Sequence, residues 1–247
     1  MCGRYLLHAD PHLLARTFRL DELSQTPRDL VPRFNVAPTQ TVPIVRDRPG
    51  HDLRVIRRGG GGAGRELATV RWGLIPAWAK DPSIGNKMIN ARAEGASDKP
   101  SFRAAFKARR CVVPASGFYE WKRQGRGPKQ PYLIQRKDEE PIGFAGLWER
   151  WHDRVSGEVV ETCTIITCEP NELMAELHDR MPVILDPEDY DRWLDPSVPG
   201  AEELLRPCPA EWLEAVPVST RVNNPANDDE SILQPGGEPL KMQGALL

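Results

Sequence analysis

The chain has 247 residues, 40% of them hydrophobic and 28% charged, with a formal net charge of −2. That is enough length for one sizeable core, it demands no second domain, and the composition is that of an ordinary soluble globular protein. No apolar run approaches the roughly 20 residues of a membrane helix and no signal peptide opens the chain, which excludes membrane and secretory classes and makes a cytoplasmic protein the expectation.

In chain order, Asp10-Pro11 reads as an N-cap followed by proline at the first helical position, with Leu13, Leu14 and Phe18 on one face. Residues 21–40 read as a proline-rich loop. Thr41 to Val45, Leu53 to Arg57 and Leu67 to Trp72 have strand character, and the glycine-rich run from Arg57 to Arg65 is a turn too glycine-rich to pack. No Gly-Lys-Ser/Thr follows that run, so a phosphate-loop reading is weak. Ser101 caps a short basic helix with Phe102, Ala105 and Phe106 inward. Cys111 to Trp121 reads as strand, turned at Gly125 to Gln130 into a second strand from Tyr132 to Arg136. Ile142 to Trp148 and Val159 to Cys168 extend the sheet. Pro170 to Leu177 is helical and delivers His178 at its C-terminal end. Asp186 caps a helix running through Leu194, Ala201 to Leu205 is a third short helix, and Ala215 to Ser219 is a last strand. Many strands with scattered helices, and no βαβ alternation, predict a single α+β domain on a curled, mostly antiparallel sheet. The expected domain spans 2–223, with 224–247 as a loose polar tail.

The charge is unevenly distributed: residues 1–110 carry 20 Lys+Arg against 10 Asp+Glu, and residues 111–247 carry 13 against 25. A basic half can hold a polyanion even in a near-neutral protein, although solvated surface arginines give the same count. The five cysteines (Cys2, Cys111, Cys163, Cys168 and Cys208) contain no CxxC pair, so neither a zinc site nor a disulfide frame is indicated, and the last four are expected to be buried packing residues.

Cys2 is different in kind. Removal of an initiator methionine is favoured when a small residue follows, and it leaves an α-amine and a thiol on one residue. Their ordinary pKa values, about 7.7–8.0 and about 8.5, leave both with usable nucleophilic fractions near neutrality. The amine can condense with an aldehyde to an iminium, and the thiol can close a five-membered thiazolidine on the same carbon, with the advantage of held reactants. Three further clusters provide context. Asn90-Ala-Arg-Ala-Glu94 is dense in polar groups, and as a bland alternative is a turn with surface ion pairs. In Phe118-Tyr-Glu120-Trp, alternation sets Glu120 on the face opposite Tyr119 and Trp121, where burial raises a carboxyl group toward the acid–base range unless an arginine pairs with it. His178 follows a helix C-terminus, which favours a protonated imidazole able to donate to a sugar oxygen or simply to cap the helix.

Met1-Cys2-Gly3-Arg4-Tyr5, Phe34-Asn35-Val36-Ala37-Pro38, Arg71 to Pro76, Asn90 to Glu94, Cys111 to Lys122 and His178-Asp-Arg-Met-Pro182 stand in the order of the SRAP family, the SOS-response-associated peptidase or abasic-site processing proteins, and the chain resembles that family from residue 2 to about Asn223. The resemblance implies a barrel-like curled-sheet domain flanked by short helices, single-stranded DNA binding, and covalent attachment to abasic sites through Cys2, shielding them from strand cleavage in a DNA damage response. It implies Asn90 as partner of the Cys2 amine or ring, Glu120 as the acid–base group and His178 as the group acting on the sugar oxygen, with the same machinery releasing Met1. Arg4, Arg92 and Arg110 would contact phosphates; Pro38, Trp72 and Trp78 would stack or wedge. Asn35, Ser219 and Asn223 would lie in DNA-contacting segments. No cofactor or metal is implied. The partner would be single-stranded DNA containing abasic sites, with association to the nucleoid when bound and the replication machinery left open as a further partner. The chain departs from the pattern at Gly95 and in the glycine-rich Arg58 to Arg65 insertion, neither of which touches the chemical groups.

Two other classes compete with this reading. A thiol peptidase acting on other proteins would use Cys2 as nucleophile and His178 as base and would not need a free amine. A non-enzymatic reader of modified bases would bind without ever forming a covalent bond.

Overall fold

The computed structural model describes residues 2–20, 30–48, 64–123, 125, 127–237 and 239–240. The expected strand from Leu53 to Arg57 and most of the glycine-rich run lie outside the described residues. Strands Thr41–Asp47 (β3), Arg65–Trp72 (β4), Arg110–Ala115 (β6), Ile142–His152 (β9) and Val159–Cys168 (β10) form a closed ring, with β10 pairing β4, β4 pairing β3, β3 pairing β6, β6 pairing β9, and β9 returning to β10. Closure leaves this barrel without a free edge. A second sheet, ordered Leu213–Pro217 (β13), Gln130–Arg136 (β8), Gly117–Lys122 (β7), Tyr5–Leu7 (β1) and Arg33–Val36 (β2), packs beside it. The pairing is antiparallel except where β4 and the short strand Asn90–Arg92 (β5) run parallel to β10, so the mostly antiparallel α+β fold is found as expected.

Aromatic rings join the two sheets. Tyr5 of β1 meets Trp72 of β4 edge-on at 5.4 Å and Phe144 of β9 at 6.3 Å, and Phe118 of β7 meets Phe144 at 5.9 Å. All are fully buried, and T-shaped pairs of this kind add roughly 0.5–1.5 kcal/mol beyond their area. The five cysteines are free and buried.

Helix Pro11–Thr17 (α1) starts where the sequence indicates, with Asp10 accepting from the His12 and Leu13 N–H groups. The segment expected as a single strand from Cys111 to Trp121 is two strands belonging to different sheets. The chain crosses between them at Ser116, whose hydroxyl oxygen accepts from the His8 and Ala9 N–H groups. Gly117 follows because a Cβ there would stand 2.7 Å from the Ile134 carbonyl oxygen. The crossing turns β7 onto β1, with Tyr5 opposite Phe118, and so brings the chain's beginning beside Glu120.

The expected loose tail is corrected. Residues 224–237 are part of the fold: Ile232, in the 3-10 turn Glu230–Leu233, is fully buried among Leu6, Tyr119, Leu133, Val218 and Val222. Val218 bridges Pro235, and the Asp228 carboxylate accepts from the Phe34 and Asn35 N–H groups while pairing with Arg33. The C-terminal segment thus covers the outer face of β7, where Tyr119 and Trp121 sit. Phe118 belongs to the main core on the opposite side, the face that alternation also gives to Glu120.

Candidate functional site

Cys2 is fully buried just before β1. Its carbonyl accepts from Asn90 Nδ2 at 2.8 Å, although the two residues lie 88 positions apart. Asn90 is delivered by β5, pinned to β10 with Asn90 opposite Ile165, while its Oδ1 is buried and has no hydrogen-bond partner among the described residues. An amide that spends its donor on a neighbouring backbone keeps an acceptor for a group arriving at that neighbour.

Glu120 is 5% exposed. Burial pushes its carboxyl group above the ordinary value, partly offset by positive charge that includes His178. Burial also pushes the Cys2 thiol up to about 12, and the Glu120 carboxylate adds to that rise. In the chain that still carries Met1, burial therefore favours the protonated thiol, which surrenders its proton to a base as it reacts.

His178 follows helix Glu172–Ala175 (α2), capped by Asn171, and its N–H donates to the Met174 carbonyl. Two ion pairs that sequence reading did not single out fix this segment. Lys122, two positions beyond Glu120 on the same strand, reaches Glu176 at 3.3 Å. Arg180 grips Glu94 at 2.5 and 3.0 Å. Glu94, Lys122 and Arg180 stood inside recognisable motif blocks, whereas nothing in the sequence marked Glu176.

The family model described as SOS response associated peptidase (SRAP) matches residues 1–225. The chain belongs to the SRAP family. It is 42% identical over 238 residues to abasic site processing protein YoqW of Bacillus subtilis, covering 95% of this chain and 99% of that one. It is 36% identical over 228 residues to abasic site processing protein HMCES of Gallus gallus, covering 83% of this chain and 66% of that one. A crystal structure of a protein from Bacteroides thetaiotaomicron superposes with a TM-score of 0.79 at 31% identity, covering 95% of this chain and all 100% of its own.

The remaining positions that resemblance to SRAP proteins suggested for DNA fall into three groups. Three are internal and are corrected. Trp72 is fully buried, with its indole N–H donating to the Ile89 carbonyl, so no base can stack on it. Arg110 is buried and its guanidinium donates to the backbone carbonyls of Phe106, Trp193 and Asp195, which leaves it to hold the helix Tyr190–Leu194 (α3) rather than a phosphate. Asn35 is fully buried, its amide donating to the Val222, Asn224 and Asn227 carbonyls.

A second group fastens the C-terminal segment. Half-buried Arg4 donates to Asn35 Oδ1 and to the Val222 carbonyl, both at 2.8 Å. Asn223 Oδ1 accepts from the Trp121 indole at 2.7 Å, and Ser219 caps the 3-10 turn Thr220–Asn223. Trp78, Arg92 and Pro38 form the third group, and they are accessible: Trp78 is 55% exposed, Arg92 is exposed and Pro38 is half-buried. Lys80, Lys87 and Lys99, near Trp78 and Arg92 in the chain, are also exposed. Among the described residues, no three His, Cys, Asp or Glu side chains gather to hold a metal ion, and no helix is long and apolar enough to cross a membrane.

Proposed function

We propose that this SRAP protein recognises abasic sites in single-stranded DNA and links to them covalently through a thiazolidine at Cys2, shielding the site from strand cleavage as part of a DNA damage response. The observation that carries the proposal is the set of groups around one residue: Asn90 holds the Cys2 carbonyl, and the buried Glu120 carboxyl group acts on the Cys2 thiol. Abasic site processing is also what the names of the relatives state.

The chemistry follows from which nucleophile is available. Once Met1 has been released, by this site or by an aminopeptidase, the Cys2 α-amine is the first nucleophile: terminal amines ordinarily titrate at about 7.7–8.0, whereas burial raises the thiol. Before attack the sugar must open: its O4′ takes a hydrogen from His178 as the C1′ hydroxyl loses its own, freeing the aldehyde. The amine attacks C1′, and the resulting hydroxyl departs as water with a proton from Glu120, leaving an iminium. The Cys2 sulfur then bonds to C1′ while its proton passes to the Glu120 carboxylate. The net change is one water lost, one C–N and one C–S bond formed, and Glu120 returned to its starting state. Ring closure removes the iminium, which would otherwise promote elimination of the neighbouring phosphate. The accessible Trp78 offers an aromatic face for a base, and Arg92 offers a cation for the backbone.

The test is a denaturing gel of the protein mixed with a single-stranded oligonucleotide carrying one abasic site. A shifted band resistant to heat and detergent is expected, and it should be sharply reduced in Cys2→Ser, whose oxazolidine holds less well. An undiminished band from protein that mass spectrometry shows to retain Met1 would overturn the proposal.

A further inference from the structure

Arg180 touches His178 through its backbone and Glu94 through its side chain. The Arg180 main-chain N–H donates to His178 Nδ1 at 3.0 Å. Its guanidinium forms the two-pronged pair with Glu94 and donates to the Thr167 carbonyl. Thr167 sits on β10 between the two segments so joined, opposite Arg92 of β5 on one edge and opposite Pro182 of the short strand Met181–Pro182 (β11) on the other. The Arg180 side chain is 13% exposed, so its planar fork is held in one orientation.

His178 Nδ1 also lies 2.7 Å from Asp179 Oδ1. The two contacts exclude each other. Accepting from a main-chain N–H requires a lone pair on Nδ1, whereas bonding to a carboxylate requires a hydrogen there. Asp179 is 88% exposed and its pull is screened by water, so the anchoring of Arg180 decides the outcome. The neutral ring then carries its hydrogen on Nε2, and the charged ring does so as well, having turned Nδ1–H toward Asp179. The form left out is the neutral ring with a bare Nε2, which has no hydrogen to give.

We propose that Glu94 is a positioning residue for the reaction: by clamping Arg180 it keeps the Arg180 N–H on His178 Nδ1 and so keeps a hydrogen on Nε2. This rests on the reading in which His178 serves the sugar oxygen. A partly exposed ion pair contributes little to folding, so removing Glu94 leaves the protein folded while changing the tautomer.

The test uses the full-length protein labelled with nitrogen-15, with the His178 ring signals assigned by comparison with His178→Gln. At alkaline pH the wild-type ring should show a protonated Nε2 and a bare Nδ1. Glu94→Ala should show a mixture or the reverse, with Glu94→Gln in between and serving as the measured variant if the alanine protein does not fold. Identical signals in wild type and variant, or a wild-type ring protonated on Nδ1, would overturn the proposal. In parallel, Glu94→Ala should slow cross-linking to the abasic oligonucleotide about fivefold, a small part of what a general acid contributes. The same substitution in a His178→Ala background should change nothing; equal slowing in both backgrounds would mean that Glu94 acts elsewhere. If the wild type forms no cross-link at all, the proposed function fails, and the ring signals alone decide the role of Glu94.

Discussion

The Asn90 side chain donates to the main-chain carbonyl of Cys2, and this contact ties the start of the chain to a strand on the barrel. Its physical effect is to fix the peptide direction at Cys2, and therefore where the amine of a processed N-terminus points. Asn90→Ala is expected to lower the rate of cross-link formation by about ten- to a hundredfold, through misplacement of the nucleophile rather than loss of a reacting group. Single-turnover rates on the abasic oligonucleotide give the number. Asn90→Asp retains the shape but has no donor when ionised, and it should not restore the rate; full recovery with aspartate would remove the hydrogen bond from the mechanism.

Glu120 couples reactivity to stability. A carboxyl group whose pKa is raised by folding binds its proton more tightly in the folded state than in the unfolded one. Its contribution to stability is therefore fully present below the unfolded carboxyl value, about 4.3, and is lost as pH rises through the raised folded value. As rising pH removes that proton, the buried charge becomes a cost. Glu120→Gln should accordingly melt higher than wild type near pH 7.5, with the advantage disappearing near pH 4, while cross-link formation and reversal both slow. Thermal denaturation across that range checks the sign. A glutamine variant less stable than wild type at neutral pH would contradict it.

The site was more legible in the sequence than the path that assembles it. Cys2, Asn90, Glu120 and His178 each stood in a recognisable motif block, and the alternation around Glu120 is seen in the opposite placement of Tyr119 and Phe118. Strands β1, β2 and β5 were missed because three- or four-residue strands show almost no periodicity, and tertiary pairing alone holds them. The break at Ser116-Gly117 lay hidden in an apolar run, since both strands are buried on both faces. The three buried DNA candidates were misread for a related reason: Trp72, Arg110 and Asn35 are polar or aromatic residues whose hydrogen bonds go to distant backbone carbonyls, and sequence spacing carries no trace of those partners.

The C-terminal segment yields a prediction about size. Ile232 is fully buried on the outer face of the sheet that carries Glu120, so Ile232→Ala should destabilise the protein by about 2–4 kcal/mol. Removing residues 224–247 should go further, exposing Val222 and Tyr119 and depriving Phe34 and Asn35 of the Asp228 carboxylate. Denaturant titration of both variants measures the loss. A truncated chain as stable as the full one would show that the domain ends near Asn223 after all.

Two tryptophans six residues apart provide the last test, because they should fail in different ways. Trp72 is sealed between the sheets against Tyr5, and Trp72→Ala should cost about 3–5 kcal/mol of stability whatever the assay for DNA shows. Trp78 is more than half exposed, so Trp78→Ala should leave the melting temperature within a degree or two, on the order of the ±0.5 kcal/mol of a surface change. Its effect should appear instead in non-covalent affinity for single-stranded DNA, weakened by about 1–3 kcal/mol if a base stacks on the indole. Fluorescence anisotropy with an undamaged labelled oligonucleotide at two salt concentrations separates the terms. The stacking loss should be the same at both, whereas Arg92→Ala should flatten the salt dependence by the removal of one phosphate contact. Unchanged affinity in Trp78→Ala would take the exposed indole out of the DNA path and leave the basic residues to hold the strand alone.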